Sequence, residues 1–392
     1  MKVAVLLSGG VDSSVALKLL QKKGCDITAF YLKIWLEDEM SFMGECPWEE
    51  DLKYVREVCD KEKIPLKIVP MQKEYFDTIV KYTIEEVKKG RTPNPDIMCN
   101  NNIKFGLFIN KIDKSFDKVA TGHYAQVVKK TGKYFLKRSP DKIKDQTYFL
   151  SRLSQKQLAR AEFPIGHLSK KQVRKYAEKF DLPNKNRKDS QGICFLGKLK
   201  YSDFLKHYLG EQKGDILEYE TGEKMGEHEG TYYYTIGQRK GILLAGGPWY
   251  VVKKDLKKNI VFISKNYHDK TKKRNEFEIS DYNFFNNTLP SNTNLKKSIQ
   301  KSQIQNNKQI LTAVCKHVHE DQNLPTTQKM GLLHGSLKVK LRHGEKMYIA
   351  KITKINSKRA KVKINKNDQG IAKGQFAVFY RNDLCLGSAV ID

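Results

Sequence analysis

A chain of 392 residues is too long for one typical core and implies two or three domains. Its 72 Lys and Arg against 44 Asp and Glu leave a formal charge of +28 and a pI near 9.6. Solubility needs far less, so a polyanionic partner is expected, nucleic acid foremost, with a lysine-rich composition as the plainer alternative. Seven cysteines without a Cys-x-x-Cys pair argue for a reducing compartment and against a structural zinc knuckle, and no protein metal site is expected. No apolar stretch reads as a secretory signal or a membrane span, so a soluble, cytoplasmic protein without a membrane partner is expected.

The first element is the apolar run Val3-Ala4-Val5-Leu6-Leu7, a strand that passes through Ser8-Gly9-Gly10-Val11-Asp12-Ser13-Ser14 into an apolar-periodic helix. Two adjacent glycines let the backbone take positive φ and turn its N–H groups toward one point, and Ser13 and Ser14 add hydroxyls at the positive end of the helix. A pyrophosphate fits such a loop; a glycine turn without a ligand is the bland alternative. The Walker A lysine is missing and the spacing is not Gly-x-Gly-x-x-Gly, so neither P-loop kinase nor dinucleotide chemistry is suggested. The string resembles the PP-loop of the ATP pyrophosphatase superfamily, whose members adenylate a carbonyl oxygen and release pyrophosphate.

Residues 26–32 and 66–69 follow as buried strands, each trailed by a charged amphipathic segment, 49–61 and 75–88, and residues 118–121 add a strand ending in Gly122-His123. This alternation predicts a doubly wound parallel α/β sheet over residues 1–200, with Gly122 and His123 at the nucleotide pocket, where strands end. Beyond residue 200, glycine turns at 213–215, 221–223, 226–230 and 246–248 punctuate short alternating runs, among them Tyr232-Tyr233-Tyr234-Thr235-Ile236. A small central β-rich domain is expected over 201–272. Residues 292–309 are almost wholly Asn, Gln, Lys, Ser and Thr, and read as a low-complexity, mobile insertion at about 290–310. Alternating runs at 336–341, 347–355, 359–364 and 376–380 predict a C-terminal antiparallel β-barrel over 273–392.

Two cysteines have unusual surroundings. Cys99 follows the proline-led turn Asn94-Pro95-Asp96-Ile97-Met98 ahead of an expected helix over 102–112, where a helix dipole favours thiolate. Cys194 lies in Lys188-Asp189-Ser190-Gln191-Gly192-Ile193-Cys194-Phe195, beside a cation and a glycine. Either residue, taken singly, is equally well a small buried hydrophobe.

The strings NPDIMCN, IKFG, ATGHYA, KDQTYFL, FPIGHL, KDSQGICF, YTIGQRKG and GGPWYVV, in this order, resemble the motif series of the tRNA-specific 2-thiouridylases (MnmA type). The ending IAKGQFAVFY is similar to that family's barrel; between about residues 267 and 338 the likeness is weak. The resemblance implies that Leu6, Leu7, Ser8, Gly9, Gly10, Val11, Asp12 and Ser13 bind ATP with its Mg2+. Leu32 takes the place of an adenosine-contacting methionine, and Gly122 lies beside the nucleotide. It further implies that Asn94, Pro95 and Asp96 touch the flipped base, with Asp96 handling a proton, and that Cys99 is the nucleophile and Cys194 the persulfide carrier. His123, Lys144, Asp145, Gln146 and Gln375 fall on tRNA-contacting positions. Where the family commonly has an Arg-Tyr pair in the barrel, this chain reads His317-Val318.

The implied reaction adenylates the 2-carbonyl oxygen of the wobble uridine and passes on a sulfur loaded by a sulfur-relay partner, yielding 2-thiouridine, AMP and a Cys99–Cys194 disulfide. A monomer is expected. Lys137, Lys142, Lys144, Lys185, Arg187, Lys188, Arg239 and Lys240 form the expected basic surface around the motif loops. An amide-forming synthetase that keeps the PP-loop but adenylates a small acceptor is the second reading, and a non-catalytic RNA-binding protein the third.

Overall fold

The computed structural model describes residues 1–34, 47–130, 132–188, 201–267, 274–290 and 335–392. The low-complexity stretch 292–309, Cys46, Cys194 and His317-Val318 lie outside these described residues. The first layer grows from β1 (Lys2–Leu6), whose alternating side chains serve two cores. Val3, Val5 and Leu7 pack with Leu17 and Leu20 of helix Val11–Lys22 and with Leu52 and Val55 of helix Pro47–Glu62. Ala4 and Leu6 face Phe30, Ile97, Cys99, Ile103 and Phe108 on the opposite side. A strand covered on both faces is what parallel packing requires.

Strand β2 (Asp26–Lys33) pairs with β1 and with β3 (Leu66–Pro70), and β4 (Lys118–Ala120) takes the other flank of β1, all parallel. A hairpin of β5 (Ala125–Lys130) and β6 (Lys133–Arg138) leaves this layer, and β7 (Ala161–Glu162) returns to complete it in the order β3-β2-β1-β4-β7. The winding reverses between β1 and β4, so the crevice lies at the carboxyl ends of these two strands. The run at 66–69, expected to be buried, is instead an edge strand with Ile68 43% exposed, because only β2 covers it.

Next come β8 (Gly214–Glu218), β9 (Lys224–His228), β10 (Tyr250–Asp255) and β11 (Ile260–Ser264), a small sheet in the order β10-β11-β8-β9. The tyrosine run is not a strand as its alternation suggests. Thr231–Tyr233 form a 3₁₀ turn, and the Tyr232 and Tyr233 hydroxyls both donate to the Gly210 carbonyl, at 2.8 and 2.6 Å.

The last unit is an antiparallel ring of β12 (Arg274–Phe284), β13 (Leu337–Lys340), β14 (Tyr348–Lys354), β15 (Ala360–Asp368), β16 (Phe376–Arg381) and β17 (Leu384–Ile391). Its order β12-β15-β14-β13-β16-β17 closes through a β12–β17 pairing. In β14 and β15 buried and exposed residues alternate, as a barrel wall demands. The hairpin from the first layer continues this sheet: Leu136 and Lys137 of β6 pair with Cys385 and Leu384 of β17.

Candidate active site

Between β1 and helix Val11–Lys22 the chain turns at Gly9, whose φ of +74° no β-carbon tolerates well. Ser13 and Ser14 fold back on the turn, their hydroxyls donating to the Gly10 carbonyl at 3.0 and 3.2 Å, and the Ser8 amide donates to Ser13 Oγ at 3.3 Å. Asp12 is held from outside the loop: Tyr124 OH donates to its Oδ1 at 2.8 Å and Lys170 Nζ lies 2.8 and 2.9 Å from its two oxygens. Gly122, at the end of β4, touches the loop's backbone, since a β-carbon there would fall 2.6 Å from the Ser13 nitrogen. The two predicted glycine positions are therefore one structure. At Gly9 a β-carbon would meet Arg187 Nη1 at 2.6 Å, and Arg187 is paired with Asp51 at 2.5 Å and stacked over Tyr54. Leu32, half-buried near the end of β2, packs against the same cluster as Leu6 and Cys99.

The cysteine turn starts earlier than expected. Asn94 is an N-cap whose Oδ1 accepts from the Ile97 amide at 3.2 Å, with Pro95 at the first helical position, so helix begins at Pro95 rather than at 102. Cys99 consequently sits past the first turn, where the dipole effect fades, and is 1% exposed. Burial pushes its thiol up, with Lys104 opposing and Asp96 adding to the rise. Desolvation outweighs the helix end, and the sulfur is held as a thiol rather than the thiolate anticipated. Asp96 is half-buried on the same turn.

Of the residues expected to meet tRNA, Gln375 from the barrel lands on the cysteine turn. Its Nε2 donates to the carbonyls of Thr92 and Pro93 at 3.2 and 3.0 Å, and its Oε1 lies 3.4 Å from Asn94 Nδ2 and 3.5 Å from Tyr148 OH. His123 is half-buried, its Nδ1 2.7 Å from Thr121 Oγ1 and its ring edge-on to Phe163; burial, then Lys104, pushes the imidazole well below its ordinary value. Gln146 exchanges hydrogen bonds with Tyr124, through Oε1 at 2.9 Å and its amide at 3.0 Å. Lys144 is half-buried, its amide donating to Asp141. The Asp145 carboxylate does not reach the surface: it is fully buried, paired with Arg138 at 2.7 Å and Lys340 at 3.0 Å. Within the basic group, Arg187 and Lys185 are engaged by Asp51 and Asp181.

Tyr124, Tyr148, Lys170 and Asn184 were not singled out by sequence. Tyr124 lies in the ATGHYA string and Tyr148 in KDQTYFL, which carried the signal for their neighbourhood though not for these side chains; Lys170 follows the FPIGHL string, and Asn184 lies in no quoted string and reaches the site through the fold.

Residues 1–198 match the family described as tRNA methyl transferase HUP domain, 202–265 the tRNA methyl transferase PRC-barrel domain, and 317–391 the aminomethyltransferase beta-barrel domain. The chain is 42% identical over 395 residues to the tRNA-specific 2-thiouridylase MnmA of Parabacteroides distasonis, covering 100% of this chain and 99% of that one. It is 40% identical over 393 residues to the tRNA-specific 2-thiouridylase MnmA of Porphyromonas gingivalis, with 100% and 99% covered. Among solved structures, the U34-tRNA thiolase NcsA from Methanococcus maripaludis aligns at a TM-score of 0.31 and 20% identity, over 47% of this chain and 58% of that one, too faint a likeness to bear on function. With identity at this level sustained over its whole length, and the phosphate loop, cysteine turn and closed barrel in place, this chain belongs to the tRNA-specific 2-thiouridylase family.

Proposed function

We propose that the enzyme 2-thiolates the wobble uridine of tRNA in an ATP-dependent sulfur transfer. The observation that carries this is full-length identity to tRNA-specific 2-thiouridylases, in a chain whose phosphate loop and Cys99 turn border one core at the carboxyl end of β1. The loop amides and the start of helix Val11–Lys22 receive the ATP phosphates, and Leu32 lies along the adenosine. Among the described residues no three His, Cys, Asp or Glu converge on a metal site, and Asp12 is engaged by Lys170 and Tyr124. Magnesium, bound together with ATP, would neutralise phosphate charge as pyrophosphate departs.

The extruded uracil enters beside Asn94, Pro95 and Asp96. Its 2-oxygen attacks the α-phosphorus, pyrophosphate leaves, and C2 becomes electrophilic. The terminal sulfur of a Cys194 persulfide, loaded by a sulfur-relay protein, then displaces AMP. Either it attacks C2 directly and Cys99 breaks the resulting S–S bond, or Cys99 first attacks Cys194 and frees hydrosulfide. Both routes end in 2-thiouridine and a Cys99–Cys194 disulfide, which cytosolic thiols reduce with two electrons. Asp96, on the turn ahead of Cys99, is the group assigned to proton handling near the uracil.

His123, Lys144, Gln146 and the exposed lysines contact the tRNA backbone or anticodon loop, while Asp145 supports that surface from below. On this reading the enzyme acts as a monomer in the cytoplasm, where it meets its tRNA substrate. The test is nucleoside mass spectrometry of unmodified tRNA incubated with the enzyme, MgATP, L-cysteine and a cysteine desulfurase, beside Cys99→Ser and Cys194→Ser. Thiouridine from the wild type alone supports the reading. Adenylation without thiouridine in the wild type would return the question to another acceptor.

A further inference from the structure

Asn184 is 1% exposed, and its side-chain amide reaches groups 170 and 175 residues away in the chain. Its Nδ2 donates to the Gly9 carbonyl at 2.7 Å and to Ser14 Oγ at 2.9 Å. Ser14 Oγ in turn donates to the Gly10 carbonyl at 3.2 Å. One buried amide thus holds the backbone of the phosphate loop at two successive peptides. The amide orientation is set by its partners, since the Gly9 carbonyl can only accept. The turn bearing Asn184 is itself rigid: Arg174 Nη1 donates to the carbonyls of Lys185 and Arg187 at 2.9 and 2.7 Å, and the Arg187 amide donates to the Asn184 carbonyl at 2.9 Å.

In a trans peptide the carbonyl of one residue and the N–H of the next point in opposite directions. Tying the Gly9 carbonyl inward therefore turns the Gly10 N–H outward, to the side where the first N–H groups of the helix lack intrahelical partners. Gly9 at φ +74° has no side chain to fix that peptide by sterics, so the orientation needs an external tether. We propose that Asn184 is a positioning residue for the pyrophosphate portion of ATP, presetting the loop amides so that binding does not have to order them. This rests on the ATP-dependent reading above.

The test is titration calorimetry of the full-length protein with MgATP, inorganic pyrophosphate and adenosine, comparing wild type, Asn184→Ala and Asn184→Asp, with steady-state thiolation alongside. Loss of two tethering hydrogen bonds weakens ATP and pyrophosphate alike, by about tenfold in Asn184→Ala. Asn184→Asp, which keeps the shape but places an acceptor against the Gly9 carbonyl, weakens them further and keeps the test open if the alanine variant does not fold. Adenosine and tRNA affinities stay at wild-type values, and the KM for ATP rises more than kcat falls. Equal weakening of adenosine and pyrophosphate, or unchanged pyrophosphate binding, would overturn the assignment. A wild type that binds neither ATP nor pyrophosphate would overturn the ATP-dependent reading itself.

Discussion

Asp145 and Lys340, 195 residues apart and both fully buried, form an ion pair at 3.0 Å that joins the KDQTYFL loop to β13 of the barrel. Burial alone would raise the Asp145 carboxyl; the Lys340 charge and the Arg138 hydrogen bond outweigh it and hold the carboxyl below its ordinary value. A carboxylate depressed in this way contributes stability above the ordinary carboxylate range, and that contribution is lost as pH falls through the folded value. Removing one partner of a buried pair typically costs about 3 kcal/mol, because the other charge stays buried. Lys340→Met is thus expected to lower the thermal midpoint at pH 7 and to shift acid unfolding to higher pH. Identical acid-unfolding curves for variant and wild type would refute a stabilising role for the pair.

Gly122→Ala tests the seam between β4 and the phosphate loop. The three atoms nearest to a β-carbon there are all backbone of Asp12 and Ser13, at 2.6 to 2.9 Å, so the clash falls on main chain rather than on the end of a flexible side chain. The helix start must shift, at about 1–3 kcal/mol for such overpacking. Calorimetry should show pyrophosphate binding weakened at least tenfold while tRNA affinity is kept; wild-type pyrophosphate affinity would mean that the loop accommodates the methyl without moving.

Thiol reactivity reports on the burial of Cys99. Burial pushes Cys59 and Cys385 up to about 12 and raises Cys99 as well, whereas Cys25 is half-exposed. Iodoacetamide at pH 8, followed by peptide mass spectrometry, is expected to modify Cys25 well before Cys99, with Cys59 and Cys385 inert. Comparable rates at Cys25 and Cys99 would show that the thiolate is formed in the free enzyme.

Gln375 donates across the domain boundary to Thr92 and Pro93, directly ahead of Asn94 and Asp96. Gln375→Ala is expected to reduce single-turnover thiolation about tenfold, the scale of two or three lost hydrogen bonds at a positioned turn, with ATP affinity unaltered. Tyr148→Phe, which removes hydroxyl contacts to Gln375 and Phe376, should give a smaller loss of the same kind. Full single-turnover rates in Gln375→Ala would leave the residue no part in holding the turn.

What was legible in sequence was local. The strand, glycine turn and helix of residues 3–22 signal one another within a few positions, and the alternating barrel strands do the same. Runs such as 66–69 look alike at the edge and the centre of a sheet, because covering strands are set by topology. Asp145 was placed among tRNA contacts by the family resemblance, and although Arg138 is seven residues away, nothing near it in the chain announces Lys340, 195 residues on, as its buried partner. Asn184 was missed for the same reason: an asparagine in a lysine-rich turn gains meaning only when Gly9 is folded against it. Cys99 misled through Asn94-Pro95, a cap and first-turn pair that starts the helix early and carries the sulfur into the core.

The hairpin Ala125–Lys130 and Lys133–Arg138 lies inside the nucleotide-layer segment of the chain, yet its outer partner is β17. Modules that look separable on the gene are therefore stitched at the level of main-chain hydrogen bonding. A fragment ending near residue 200 would carry β6 as a bare, aggregation-prone edge, and a fragment holding only the barrel would expose the matching side of β17. Unfolding is expected to take the nucleotide layer and the barrel together, so a force on one, such as a docked anticodon arm, is felt by the other without any dedicated relay.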